Sequence, residues 1–168
     1  MSAMDKDVLD RYITTWLARA HDHPETAHNE WTKHGVALLP LGRRYSAVRL
    51  PGSLVTAAVG TTDMKAITAE LEFRLDGPVI HDSLAIGRPY YALIQWHAGV
   101  VWDGGEDTPC LGDGVHLGVP RIQRVQPPGT YWIVRPRREG DLCRPEAVQR
   151  LIRDGRAALA VEQAEVTA

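Results

Sequence analysis

The chain has 168 residues, of which 44% are hydrophobic and 24% charged, and its formal net charge is −2. This composition is ordinary for a globular protein, and the charge argues against a strongly basic nucleic-acid binder. The first residues carry neither a basic start nor an apolar run, and no stretch approaches the roughly 18 apolar residues of a membrane span, so we expect a cytoplasmic protein without a membrane partner.

The N-terminal part, residues 5–34, has the pattern of two helices. Apolar residues recur at intervals of three and four over residues 5–20, which is typical of a helix with one buried face. A second helix begins at Pro24, runs to about Lys33 and is ended by Gly35. We therefore expect a helical layer ahead of the first strand.

Short apolar segments bounded by turn residues predict a sheet in the rest of the chain. The predicted strands are Val36–Pro40, Ser46–Leu50, Val79–His81, Tyr90–Trp96, Val100–Trp102, Val115–Val119 and Tyr131–Val134. Residues 53–59 fit either a strand or a helix, whereas Asp63–Leu75 predicts a capped helix.

A last helix begins near Pro145 and meets Gly155, and residues 161–168 are expected to fray. The order of elements predicts one α+β domain over residues 1–160. It has a mixed, mostly antiparallel sheet, two N-terminal helices, a middle helix and a C-terminal helix.

No residue pattern indicates a metal or a cofactor. The histidines between the first two helices do not share a helical face, and Cys110 and Cys143 stand without partner ligands. The acidic segment 103–107 lacks the ligand register of an EF-hand. His81 and Asp82 are adjacent on a strand and point to opposite faces, so we expect solvated side chains there rather than a catalytic pair.

Arginines supply the strongest candidate for a binding site. Residues 100–120 hold four acids and no lysine or arginine, whereas residues 121–156 hold nine arginines against four acids. If three predicted strand ends converge, their arginines form a basic surface for an anion, with aromatic rings for stacking. The candidate residues are Arg43, Arg44, Arg121, Arg124, Arg135, Arg137, Tyr131 and Trp132, with Tyr45 and Arg138 beside them. The alternative is that these arginines are solvated on separate loops.

Three segments resemble the bifunctional DNA primase/polymerase domains: Gly35–Arg44 (GVALLPLGRR), Gly114–Pro120 (GVHLGVP) and Gly129–Trp132 (GTYW). The resemblance implies a primase/polymerase-like fold over about residues 5–136. Active members hold two divalent metals with an Asp-x-Asp or Asp-x-Glu pair, but the matching segment Ser46–Pro51 has no carboxylate. The family's later histidine is also absent from its expected place near Arg88–Tyr91. The resemblance therefore implies a degenerate member that is not a polymerase.

Two functions follow as expectations. The first is a non-catalytic domain that binds nucleic acid, a nucleotide or another anionic ligand through the arginines. The alternative is a protein-interaction or regulatory module, whose partner docks on a surface formed by Trp31, Trp96, Trp102 and Trp132. A small enzyme with a scattered site is a third possibility. Sixteen arginines against three lysines indicate a GC-rich bacterial source.

Overall fold

Two N-terminal helices open the fold in a computed structural model, which describes residues 2–167. Helix α1 spans Ala3–Ala18 and begins with a capping box at Ser2, in which side chain and backbone exchange hydrogen bonds. Helix α2 spans Pro24–His34 and ends at a glycine with a φ of 73°. Both helices lie where the sequence predicts them, because proline begins α2 and a left-handed glycine ends it.

The remaining helices and strands follow one another in short groups of one type along the chain. They are β1 (Val36–Pro40), β2 (Tyr45–Leu50), α3 (Gly52–Val59), α4 (Met64–Leu75), β3 (Val79–Asp82), β4 (Tyr90–Gln95), α5 (Trp96–Val100), β5 (Cys110–Leu111), β6 (His116–Pro120), β7 (Thr130–Val134) and α6 (Pro145–Thr167). The predicted α+β class is thus confirmed, with helices at both ends of the chain.

The strands form two sheets. One has five strands in the order β5-β2-β4-β3-β7, and β1 pairs with β6 in a separate two-stranded ribbon. Every pairing in the described residues is antiparallel. The predicted, mostly antiparallel arrangement is therefore confirmed. The strands form two sheets rather than one, since β6 and β7 belong to different sheets, and no described pair is parallel.

The five-stranded sheet separates two hydrophobic cores. Side chains alternate across a strand, so the neighbours Tyr131 and Trp132 on β7 enter different cores. Residues of α3, α4 and α6 cover the Tyr131 face. The helices α1 and α2 and the β1–β6 ribbon cover the Trp132 face. Strand β1 has one outer face, where Leu38 is 57% exposed.

Two segments differ from their predicted structure. Val100 ends the short helix α5, so the strand predicted at Val100–Trp102 is wrong. Helix α6 continues past Gly155 to Thr167. A Cβ at Gly155 would lie 2.7 Å from the Leu54 carbonyl oxygen, so this glycine permits the contact between α6 and α3 and does not end the helix.

Within residues 2–167 no helix combines the length and the hydrophobicity that crossing a membrane requires. This holds for α6 as well, which has 23 residues but carries charges along its length.

Candidate functional site

The predicted arginine site is divided between the two ends of the β1–β6 ribbon. Arg43 and Arg44 follow β1, beyond the pair Pro40–His116. Arg121 follows β6 at the opposite end, where its amide donates to the Gly35 carbonyl oxygen at 2.9 Å. Four residue steps separate the two ends of the ribbon, a distance of about 13 Å. The expected convergence of these arginines is therefore not present.

Several of the predicted arginines are engaged in ion pairs. Arg43 pairs with Asp22, and Arg135 pairs with the buried Asp10 of α1. Arg137 lies 2.9 Å from an Asp76 oxygen and 3.0 Å from an oxygen of the buried Asp141. Hydrogen bonds to these two carboxylates, Asp141 first, raise the pKa of Arg137. Arg135 and Arg137 thus cross-link elements of the fold.

Three of the predicted arginines, Arg44, Arg121 and Arg124, have no carboxylate partner among the described residues. Arg44 and Arg121 are exposed and form no ion pair there. Arg124 is half-buried, and its guanidinium donates to the Pro128 carbonyl oxygen at 3.5 Å. Arg121 and Arg124 lie close together, since the Arg124 amide donates to the Arg121 carbonyl oxygen at 2.9 Å.

The aromatic residues expected beside the arginines are buried. Trp132 is 1% exposed, and its indole N–H donates to the Pro120 carbonyl oxygen at 2.9 Å. Tyr45 is also buried and donates to the Leu17 carbonyl oxygen at 3.1 Å. Their predicted role as stacking platforms is wrong, because each ring is packed in the core with its polar atom satisfied.

The predicted tryptophan surface is not formed either. Trp31 donates its indole N–H to the Val119 carbonyl oxygen at 2.8 Å, and Trp102 donates to that of Thr108 at 3.0 Å. Of the four tryptophans in that surface only Trp96 is exposed, at 44%. The indole N–H groups of Trp31, Trp102 and Trp132 instead donate to backbone carbonyls.

A cavity of about 500 Å³ opens on the Tyr131 face of the five-stranded sheet. Six segments meet there: the starts of α3, α4, β4 and β7, the end of β3, and the segment Ser83–Pro89, which we call the strap. The lining residues are Gly52, Ser53, Thr56, Thr62, Met64, Ile67, His81, Ser83, Gly87, Arg88, Tyr90, Pro127 and Tyr131. None of them is a carboxylate, so the lining offers no acidic ligands for a divalent metal.

A close backbone contact holds the strap on α3. The Gly52 amide donates to the Gly87 carbonyl oxygen at 2.9 Å. A Cβ at Gly52 would lie 2.6 Å from that oxygen and 2.7 Å from the Arg88 carbonyl oxygen. Only glycine permits this approach, which places the strap beside the first turn of α3.

Arg88 combines backbone strain with an unpaired charge. Its φ of 45° lies in the left-handed region, which is costly for a residue with a Cβ. Its side chain is exposed and makes no ion pair within the described part of the chain. The strap thus holds one uncompensated cation beside the cavity.

His81 lies in the cavity wall and is 3% exposed. Its ring stacks on Tyr90, with centroids 3.9 Å apart, and meets the edge of Tyr131 at 5.6 Å. Its Nδ1 lies 3.1 Å from the Pro89 carbonyl oxygen. Because a carbonyl only accepts, Nδ1 carries the proton and Nε2 of the neutral ring carries a lone pair. The expectation of a solvated His81 is wrong, since the strap covers the ring.

The Nε2 atom of His81 opens on the cavity. It makes no hydrogen bond in the described residues, where Nδ1 has the only one of this side chain. No fully buried side-chain nitrogen or oxygen there lacks a partner. Nε2 must therefore be reached from the cavity, and it is an unpartnered acceptor on a side chain that is otherwise enclosed.

The titratable groups of the cavity wall favour their neutral forms. Burial lowers the pKa of His81, although the Pro89 carbonyl and Asp82 oppose the shift. Burial raises the pKa of Tyr90 to about 12 and also raises the pKa of Tyr131. At neutral pH the wall thus presents a neutral imidazole and two phenols, which can accept or donate hydrogen bonds.

Few features of the amino-acid sequence indicate this site. Asp82 does not orient His81, because its carboxylate accepts from the Leu84 and Ala85 amides, each at 3.1 Å. The group that orients the imidazole is the backbone carbonyl of Pro89, which no side-chain motif encodes. The Gly87-Arg88-Pro89 turn was the only local signal that the chain bends sharply there.

A larger groove, of about 630 Å³, lies between α1, α2 and the segment after β6. Both acidic and basic residues line it, including Asp7, Arg11 and Arg121. Its buried carboxylate, Asp10, is already paired with Arg135. The groove therefore leaves no enclosed polar group in need of a ligand.

The acidic segment 103–107 contacts helix α6 and forms no ion pair with the candidate arginines in the described residues. Asp107 pairs with Arg156 of α6 at 2.7 Å, and the same guanidinium donates to the Gly104 carbonyl oxygen. Across the described residues, no group of three or more histidines, cysteines or acids is arranged to hold a metal ion.

Comparison with known proteins gives no relative: no family model matches the chain, and no curated protein or solved structure matches it significantly.

Proposed function

We propose that this protein binds a small anionic ligand, a phosphate or carboxylate compound, in the cavity beside His81. The observation that carries the proposal is the unpartnered Nε2 of an enclosed imidazole, next to the unpaired cation of Arg88. An anionic group of the ligand can pair with Arg88, while Nε2 can accept a hydrogen bond from a hydroxyl or N–H group of the same ligand.

The dimensions and composition of the cavity support this proposal. Its volume of about 500 Å³ lies in the range of small-molecule sites. Met64, Ile67 and Pro127 give it an apolar wall for the organic part of a ligand. Ser53 lies in the first turn of α3, and its amide has no backbone acceptor in the described residues, whereas the Gly52 and Leu54 amides have one. A helix start favours an anion at such an amide.

The arrangement supports binding more than catalysis. A nucleophile needs a base within hydrogen-bond reach, but His81 Nε2 contacts no hydroxyl in the described residues. The lining also lacks the carboxylates with which a metal-dependent enzyme would hold its ions.

Calorimetric titration with phenyl phosphate and with benzoate tests the proposal, because the two probes share a ring and differ in the anionic group. Arg88→Ala removes the cation of the cavity, and a hydrogen bond to a charged group contributes about 1.5–3 kcal/mol. We expect its affinity for the better probe to fall by about 10-fold to 150-fold. Arg44→Ala, the matched control, removes an unpaired arginine outside the cavity and should bind like the wild type. Equal affinities of the wild type and Arg88→Ala would refute the proposal.

A second candidate is nucleic-acid binding through Arg44, Arg121 and Arg124, which is favoured by the absence of carboxylate partners around them. Fluorescence anisotropy with single-stranded DNA at low and moderate salt tests it. Salt-sensitive binding that is lost in Arg121→Ala/Arg124→Ala but retained in Arg88→Ala would favour this candidate. The protein-interaction alternative keeps only Trp96 of its predicted surface.

A further inference from the structure

We infer that the cavity selects oxyanions that carry a P–OH or similar protonated oxygen. Because His81 Nε2 accepts a hydrogen bond from that oxygen, the cavity binds phosphate monoesters more tightly than sulfate monoesters. This inference rests on the proposed function and specifies its ligand. Its basis is the geometry around the imidazole, which makes Nε2 a hydrogen-bond acceptor and not a donor.

The contact with Pro89 determines which nitrogen carries the proton. Moving that proton to Nε2 would break the bond from Nδ1 to the carbonyl oxygen, 3.1 Å away, and leave two lone pairs facing each other. Nε2 of the neutral ring therefore remains an acceptor. An anion oxygen without hydrogen is repelled by that lone pair, whereas a protonated oxygen donates to it.

No charged group around His81 donates a hydrogen bond to Nε2 in the described residues. The charged or titratable groups near His81 are Asp82 on β3, Arg88 on the strap, Tyr90 on β4 and Tyr131 on β7. The helices α3 and α4 line the cavity only with uncharged residues. Asp82 already accepts two amides, and Arg88 disfavours a positive imidazole. The ligand's own proton is thus the simplest match for Nε2.

Phosphate and sulfate esters differ in this property. A phosphate monoester loses its second proton with a pKa of about 6, so a P–OH group is available near neutral pH. A sulfate monoester has the same tetrahedral shape but no proton in this range. When a complex contains one more proton than the free components, the affinity falls tenfold for each pH unit above the pKa involved.

Titration calorimetry with phenyl phosphate and phenyl sulfate, from about pH 6 to about pH 8, tests the inference. We expect phenyl phosphate to bind at least about tenfold more tightly than phenyl sulfate at about pH 6. Above this pH its affinity should fall by about tenfold per unit, and buffers of different ionisation enthalpy should show uptake of about one proton.

His81→Gln removes the titrating acceptor and provides an amide that can accept or donate. Its phosphate affinity should depend only weakly on pH, and it should discriminate little between the two esters. The control His116→Gln alters an exposed histidine on β6 and should keep the wild-type profile. If His81→Gln is not folded, as judged by circular dichroism, the comparison of the two esters on wild-type protein decides alone.

The outcomes separate this inference from the proposed function. Binding of both esters with equal affinities that do not change with pH, and are reduced in Arg88→Ala, would retain the proposed function and overturn the proton selection. Absence of binding by the phenyl probes at every pH would overturn both.

Discussion

Replacing Gly52 with alanine perturbs the contact that holds the strap on α3. The added Cβ would lie 2.6 Å and 2.7 Å from two backbone oxygens, those of Gly87 and Arg88. Ordinary contact begins at 3.4 Å, so the strap has to retreat by about 0.8 Å. Backbone atoms cannot rotate away as a flexible side chain can, and the Gly52–Gly87 hydrogen bond lengthens with the movement.

The magnitude follows from two opposing effects. Overpacking at such a contact costs about 1–3 kcal/mol, whereas alanine is favoured over glycine in a helix by up to about 1 kcal/mol. We expect a net loss of about 1–2 kcal/mol in the free energy of unfolding. In a domain of this size that corresponds to a decrease of about 2–8 °C in Tm.

Differential scanning calorimetry measures this decrease, and Ser53→Ala is the control, because it adds no atom at the next position of the same helix. The retreat of the strap should also weaken phenyl phosphate binding in Gly52→Ala. A Gly52→Ala protein with wild-type Tm and wild-type affinity would refute the argument that this contact builds the cavity.

Three further predictions concern the fold around the site. Asp10→Asn breaks the pair with Arg135 and should cost about 2 kcal/mol of stability in urea unfolding, whereas Asp7→Asn, on the exposed side of α1, should cost little. Trp132→Phe leaves a space in the core and removes an indole donor, so we expect the free energy of unfolding to fall by about 2 kcal/mol. The control Trp96→Phe, at an exposed position, should lose less than about 0.5 kcal/mol. Equal losses would contradict the assignment of Trp132 to the core. Burial lowers the pKa of His81 in the folded state, so the unfolded chain takes up this proton first as the pH falls. The contribution of neutral His81 to stability is complete above about pH 6.5, and it decreases by up to about 1.4 kcal/mol per pH unit down to the folded pKa. Urea unfolding of the wild type and of His81→Gln at several pH values measures it. The difference between their free energies of unfolding should shrink as the pH falls.

Local sequence patterns are sufficient to predict most helices and strands. Proline at the start of α2, glycine at its end and Asp63 at the cap of α4 act through neighbouring residues, and these elements formed where they were predicted. Residues 53–59 stayed ambiguous because they are apolar without a clear period, and only packing against α6 identifies them as helix α3. Val100–Trp102 is a short apolar segment between turn residues and therefore predicts a strand, although Val100 ends a short helix.

The cavity could not be predicted because it depends on contacts between distant residues. Gly52, His81 and Arg88 belong to three segments, and nothing in the local pattern of any one of them specifies the others. The arginine hypothesis failed in part for the same reason: Asp10, Asp76 and Asp141 neutralise guanidinium groups from separate parts of the chain. A count of charges along a sequence does not identify such partners.

The opposite orientation of Tyr131 and Trp132 on β7 has a consequence for how this protein can change. The strand serves two cores that share its backbone but not its side chains. A substitution at Tyr131 alters the wall of the cavity, while Trp132 continues to hold the N-terminal layer in place. A mutation can therefore change the cavity wall on one face of the sheet while the packing on the other face is retained.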